Sequence, residues 1–261
     1  IVNDGTESIG ILIKNRSNVT LTDCRVEVFD TGVSIRSSSD VAASHVSAEG
    51  TSIGNSRAFN IHSSTDVDIS DAMASDAHRG FSIFDSERVT LTDAFVLTTT
   101  GSGVRIDDSA DVTVSGSLTS DTARGIYVLT SSDVSLWGNV VSEATVGIDV
   151  SHCSGVTVDI SGVADTTGNG MRFVNSDTLT VTDNVVIQAS SKGISFWSSD
   201  DVSAEGNTIT ETDGIGLYAY GGSGLSLVDN TTADNATHGV KLTGSDTCLL
   251  YTSPSPRDRY G

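Results

Sequence analysis

The chain has 261 residues and carries 34 Asp and Glu against 14 Lys and Arg, a formal net charge of −20. So acidic a surface disfavours nucleic acid and anionic membranes as partners. No apolar run approaches the length of a membrane-spanning helix. One elongated domain accommodates this length.

Residues 1–9, IVNDGTESI, read as the tail of an earlier coil, without an initiator Met. From Gly10 onward one unit repeats. Its clearest copies are GMRFVNSDTLTVTDN (170–184), GISFWSSDDVSAEGN (193–207) and GLYAYGGSGLSLVDN (216–230). Units begin at Gly10, Gly32, Ala58, Gly80, Gly103, Gly125, Gly147, Gly170, Gly193, Gly216 and Gly239, most of them 22 or 23 residues apart. A fixed period of this size marks a stacked repeat.

Counted from the glycine, apolar residues fall at positions 2 and 4, at 10 and 12, and again near 17, as in Ile126, Val128, Val134, Leu136 and Val141. Alternation with period 2 predicts three short strands per unit, each with one face buried. A lone unit cannot bury that face, so the units must stack. The expected fold is all-β: a single-stranded, right-handed parallel β-helix solenoid of about ten coils, since parallel crossovers are overwhelmingly right-handed.

Position 15 is Asn139, Asn184, Asn207 and Asn230, which predicts an amide ladder along the axis. The opening glycine suits either a tight bend or a place where a side chain would crowd the coil. Ser-x-Asp pairs such as Ser38/Asp40, Ser64/Asp66, Ser109/Asp111 and Ser131/Asp133 read as turns that bond their own backbone. The coil that opens at Gly32 has extra residues in 49–57, EGTSIGNSR. Cys24 and Cys153 lie six coils apart, about 29 Å at the strand spacing, too far for a disulfide.

The last unit, GVKLTGSDT, follows the template to position 9. Residues 248–261, opening CLLYTSPSPRD, then resemble translated read-through of a sequencing-library transposase adapter and are expected to be a non-native, disordered tail. Residues 1–247 are the β-helix, expected to be truncated at both ends, with neighbouring coils of a longer chain as natural partners. Open strand edges at both ends would favour self-association. Without the tail the count is 12 basic against 33 acidic residues, a charge of −21, and Asp outnumbers Glu 27 to 7 over the chain. That balance suits a protein from high salt or an ordinary acidic secreted one.

Over residues 10–247 the chain resembles the right-handed parallel β-helix repeat proteins, the superfamily of pectate lyases, polygalacturonases and NosD-type copper-accessory proteins. The resemblance implies the fold and an extracellular, cell-surface or periplasmic location. Activity needs separate evidence, because function resides in sites placed on a fold. Polygalacturonases carry NTD, DD, GHG and RIK motifs. Here only Asp107-Asp108 matches, and His152 falls one coil late. The DPHD of mannuronan epimerases is missing. For a NosD-type copper site, His45, His62, His78, His152 and His238 are scattered over different coils, and Met73 and Met171 lie far apart. No cofactor is implied; calcium stays open as an alternative that no motif indicates.

The outward positions of the first strand carry the candidate site. The positions before the glycine, at 3 and at 5 gather Lys14, Arg36, Arg57, Arg79, Arg105, Arg124, Arg172, Lys192 and Lys241, nine of the twelve native basic residues. Phe84, Tyr127, Trp197, Tyr218 and Tyr220 are expected as exposed aromatics among them. Arg forks pair with carboxylates or sulfates, and aromatic rings bury sugar faces. Arg105, Arg124, Arg172, Lys192, Trp197, Tyr218 and Tyr220 are therefore the expected contacts to an acidic polysaccharide. A second explanation of the same face is that basic residues balance nearby Asp.

Catalytic candidates are Asp107, Tyr127 and Asp149. Asp107 and Asp149 are two rungs apart, roughly 10 Å, near the upper end of an inverting glycosidase pair. A lyase would use Tyr127 or Lys192 as base and Arg105 or Arg172 to neutralise a uronate. Flanking cations favour Asp149 as a charge partner instead. The reading is an exported carbohydrate-active or carbohydrate-binding β-helix. If it is an enzyme, it is a polysaccharide lyase or a glycoside hydrolase. The alternative is a structural cell-surface or NosD-like solenoid.

Overall fold

The computed structural model describes residues 8–51 and 54–251, with side chains to residue 245. All regular structure among them is β. The second strands of successive coils form an eleven-stranded sheet, and the first and third strands form an eighteen-stranded one. Every pairing is parallel and advances one coil at a time. Val104 lies opposite Ile126, Ile126 opposite Ile148, and Ile148 opposite Met171. The template register therefore holds along the stack. In the middle, the third strand of one coil runs on into the first strand of the next, as in Phe95–Asp107, Leu118–Leu129 and Val140–Ser151.

Inward positions fill the coil. Ile126, Val128, Leu136 and Val141 are buried with their equivalents above and below. Phe59 stacks on Phe81 at 4.5 Å between ring centroids, and Phe173 on Phe196 at 5.1 Å. Each such side chain contributes about 1.5–3 kcal/mol by leaving water. The glycines answer to crowding. A Cβ on Gly193 would stand 2.1 Å from Ile209 Cγ2 and 2.7 Å from the Gly216 carbonyl, and Gly125 faces Val141 and Gly147 in the same way. Ala58, which breaks the glycine pattern, has the small Ala74 at the equivalent third-strand position of its coil, and both are fully buried.

Two ladders tie the corners. Asn184 Nδ2 donates to Asn207 Oδ1 at 2.9 Å, and Asn207 Nδ2 to Asn230 Oδ1 at 2.8 Å. The run is interrupted by Ser161, whose amide donates to Asn184 Oδ1 at 2.9 Å and whose hydroxyl accepts from the Asn139 amide. At the other corner Ser109 Oγ donates to its own chain two residues back, the Asp107 carbonyl, at 2.8 Å. That is the expected self-bonding turn. The same serines also link coils: the Ser109 amide donates to Ser131 Oγ at 3.1 Å. Cys153 takes a serine's place there, with its Sγ 3.2 Å from the Ser151 carbonyl. Cys24 and Cys153 are both free thiols.

The corners also account for the Asp excess. Left-handed backbone recurs along the coils, and among the described residues sixteen aspartates adopt it, including Asp40, Asp66, Asp111, Asp133 and Asp183. Asp and Asn tolerate positive φ better than other non-glycine residues because their short polar side chains bond locally. A large share of the negative charge thus follows from turn geometry.

The expected boundary at Cys248 does not stop the pairing. Asp246–Tyr251 runs parallel to Ser223–Val228, with Cys248 opposite Leu225 and Leu250 opposite Leu227. Strand-forming residues suffice to add to an open rung. Residues 252–261, the rest of the expected tail, lie outside the described residues, as do residues 1–7 and two positions of the Gly32-coil insertion.

Candidate functional site: a basic groove along the first strands

All nine basic residues singled out above lie on first strands, from Ile9–Lys14 to His238–Thr243. Arg16, Arg25 and Arg88 lie elsewhere on the coil. The face is a groove. In six coils position 3 points outward yet is buried: Ser34, Asn60, Ser82, Asp149, Ser195 and Tyr218 make the floor. Long side chains at the position before the glycine and at position 5 stand on either side and cover it. The expectation of an exposed Tyr218 is corrected by this geometry, for that ring is 8 % exposed.

Three stretches follow one another along the groove. In the first, Arg36, Arg57, Arg79 and Arg105 surround an open concavity of about 440 Å3. His62 and Phe84 stack on one wall at 5.2 Å, and Asp107 accepts from Arg105 Nε at 3.1 Å. Burial, then the Arg105 and Arg57 charges, push the Arg79 guanidinium below its ordinary pKa. Outside the rim, burial and the Arg79, Arg57 and Arg105 charges lower the pKa of His78.

In the second stretch, Tyr127 is held between guanidiniums, 4.6 Å from Arg124 and 5.2 Å from Arg105. Asp149 is 0 % exposed. Its oxygens accept from Arg124 Nε at 3.0 Å, Arg172 Nε at 2.9 Å and Arg172 Nη2 at 2.7 Å. Those bonds raise the Arg172 pKa above its ordinary value. A carboxylate so enclosed presents no surface to a sugar. Asp149 positions Arg124 and Arg172, while Asp107, the other carboxylate considered from sequence, is held by Arg105.

The third stretch is aromatic. Lys192 Nζ sits 5.5 Å from the Trp197 ring and 5.4 Å from that of Tyr218. Trp197 meets Tyr218 edge-on at 5.0 Å and Tyr220 at 5.6 Å. Arg172, Trp197 and Tyr220 border an open hollow of about 340 Å3.

Residues 9–159 match the family described as "Right handed beta helix region", and residues 89–252 match "Periplasmic copper-binding protein (NosD)". The chain belongs to both families. No curated protein matches it significantly. Solved structures share the fold. The Azotobacter vinelandii mannuronan C-5 epimerase AlgE6 A-module aligns with a TM-score of 0.64 at 14% identity, covering 90% of this chain and 71% of that one. DFA-IIIase from Arthrobacter chlorophenolicus A6 gives 0.64 at 10%, covering 87% and 68%. The Agl-KA catalytic domain gives 0.62 at 13%, covering 90% and 58%.

The donor set of this NosD-family chain does not fit copper. Among the described residues no three His, Cys, Asp or Glu side chains are grouped to hold a metal. Met171 is inside the coil and Met73 outside it. His62 stacks on Phe84, while His152 is bonded by Ser151 and Asn175.

A larger trough of about 850 Å3 follows the serine corner past Asp85, Asp108 and His152. It is hydroxyl-rich and acidic, no groove arginine lines it, and at one end it shares Asn175 with the aromatic hollow. Asn60 and Ser82, on the groove floor, escaped the sequence reading. Only their burial distinguishes them from ordinary outward residues.

Proposed function

We propose that this chain is an exported carbohydrate-binding β-helix that holds an acidic polysaccharide lengthwise along the first-strand groove. The observation that carries this reading is the order of the groove: an arginine-rich concavity, an arginine-held tyrosine and a tryptophan–tyrosine platform, in one line, on a protein of net charge −20. Guanidiniums recognise anionic groups in pairs of hydrogen bonds, and the open aromatic hollow offers apolar area to a sugar ring. The AlgE6 module, which shares the fold, is a mannuronan epimerase by name. The word "periplasmic" in the NosD description supports export.

The enclosure of Asp149 favours binding over bond cleavage at the middle rungs. The second reading, a structural solenoid without a ligand, draws on the same enclosure. Binding to a panel of acidic and neutral polysaccharides, for the parent chain and for Trp197→Ala and Tyr220→Ala, separates the two. Binding to acidic polymers that weakens about tenfold in either variant supports the groove. Absence of binding to any polymer leaves the structural solenoid.

A further inference from the structure

The first stretch of the groove holds more positive charge than its own carboxylate uses. Among the described residues Arg36 and Arg79 have no carboxylate within ion-pair distance, and Arg105 shares Asp107. Arg79 is half-buried beside Arg105 and Arg57, and burial, followed by those two like charges, lowers its proton affinity. The floor of the same concavity is polar and unspent. Asn60 is 6 % exposed and Ser82 4 % exposed, and neither side chain has a hydrogen-bond partner among the described residues. Their polar atoms are not sealed from solvent and stay open to a ligand in the concavity. Both line the space that the arginines surround.

The protein itself shows what one carboxylate requires on this face. Asp149 occupies two guanidiniums, Arg124 and Arg172, with three hydrogen bonds. The concavity offers Arg36, Arg79 and the outer edge of Arg105, together with the Asn60 amide and the Ser82 hydroxyl. A planar carboxylate has two oxygens lying in one plane and would leave part of this donor set unused. An ester of sulfate or phosphate presents three terminal oxygens in a tetrahedral array, able to meet arginines on two sides and the amide and hydroxyl below. We infer that the concavity bounded by Arg36, Arg79, Arg105, Asn60 and Ser82 is a binding site for a tetrahedral oxyanion, carried as a sulfate or phosphate ester on the polysaccharide. The small-anion site stands on this geometry alone. Its attachment to a polymer rests on the function proposed above.

Calorimetric titration of the whole chain with sodium sulfate, sodium phosphate and sodium acetate, at matched ionic strength, tests the site directly. Sulfate or phosphate should bind at least tenfold more tightly than acetate. Arg79→Gln and Asn60→Asp should each remove that preference, whereas Arg88→Gln, at an exposed arginine outside the groove, should keep it. The His78 imidazole is an independent reporter that does not depend on affinity: an anion beside Arg79 offsets the positive field, so its NMR-measured pKa should rise on sulfate addition. Equal binding of acetate, or an unchanged preference in Arg79→Gln, overturns the site.

Polymers divide the two proposals. A sulfated or phosphorylated polysaccharide bound tenfold better than a polyuronate, with the advantage lost in Arg79→Gln, supports both, and the better ester identifies the source. A polyuronate bound as tightly as the sulfated and phosphorylated polymers overturns the oxyanion site while the polysaccharide groove stands. Binding of the small anions without binding of any polymer keeps the site and overturns the groove.

Discussion

Asp149 is the residue whose role depends most on its surroundings. A lone aspartate on an outward strand position is a plausible acid or base by spacing. With no exposed surface and three guanidinium hydrogen bonds, it is a fixed counter-charge. Asp149→Ala should cost about 1–3 kcal/mol in urea unfolding, the usual range when charged hydrogen bonds lose a partner. The two arginines can then turn to solvent, which limits the loss. An unchanged midpoint would sink the positioning role.

His78 carries a second expectation. Burial, and after it the Arg79, Arg57 and Arg105 charges, hold its pKa below the ordinary 6.5. The unfolded chain then binds the proton more readily than the folded one. Stability is full above about pH 6.5, declines as pH falls from there to the folded-state pKa, and stays lower below it. NMR titration should show the depressed value, and Arg79→Gln should move it upward. A value that stays put in the variant would remove Arg79 as a cause.

At the level of strands and corners, the ladders convert sequence repetition into cohesion. Asn207 bonds both neighbours and the Val181 carbonyl, so Asn207→Ala orphans buried groups on two coils. Its cost should be about 2–4 kcal/mol, from one or two unmet groups of about 1–3 kcal/mol each, and larger than that of Asn230→Ala, whose site is half-buried. Equal effects in thermal unfolding would contradict the ladder argument. Gly193→Ala tests crowding. A Cβ there would stand 2.7 Å from a backbone carbonyl that cannot swing away, and overpacking of this kind costs about 1–3 kcal/mol. Combining Gly193→Ala with Ile209→Ala reproduces the natural pairing of Ala58 with Ala74. It removes the side-chain part of the clash, so the double variant should lose less stability than the sum of the two single changes.

Over the whole molecule, charge is segregated. Turn aspartates spread negative charge around the corners, while nine basic residues line one groove. Added salt should therefore act in opposite directions on two observables. The melting temperature should rise between about 10 mM and about 0.5 M sodium chloride, as self-repulsion within a chain of net charge −20 is screened. Binding of an acidic polymer should weaken over the same range, because its attraction is screened too. A melting temperature that falls with salt would show that attractive ion pairs, such as those at Asp149, outweigh the repulsion.

The period, the glycines and the alternation of Ile126, Val128, Val134 and Leu136 were enough to specify the coil, its register and the shared face of the nine basic residues. Each of these is a one-dimensional pattern that parallel stacking repeats without rearrangement. The depth of the groove was not legible. Position 3 reads as outward in the sequence, and outward it is, but only the tall side chains beside it decide that Asp149 and Tyr218 are covered and that Asn60 and Ser82 floor a cavity. The same holds for charge: the excess of Asp was plain from composition, its cause lay in left-handed corners, and which arginines keep a free charge depends on distances between coils. Local spacing determines the strand, whereas burial and pairing are set by neighbours 22 or more residues away in the chain, and there the tertiary structure alone decides.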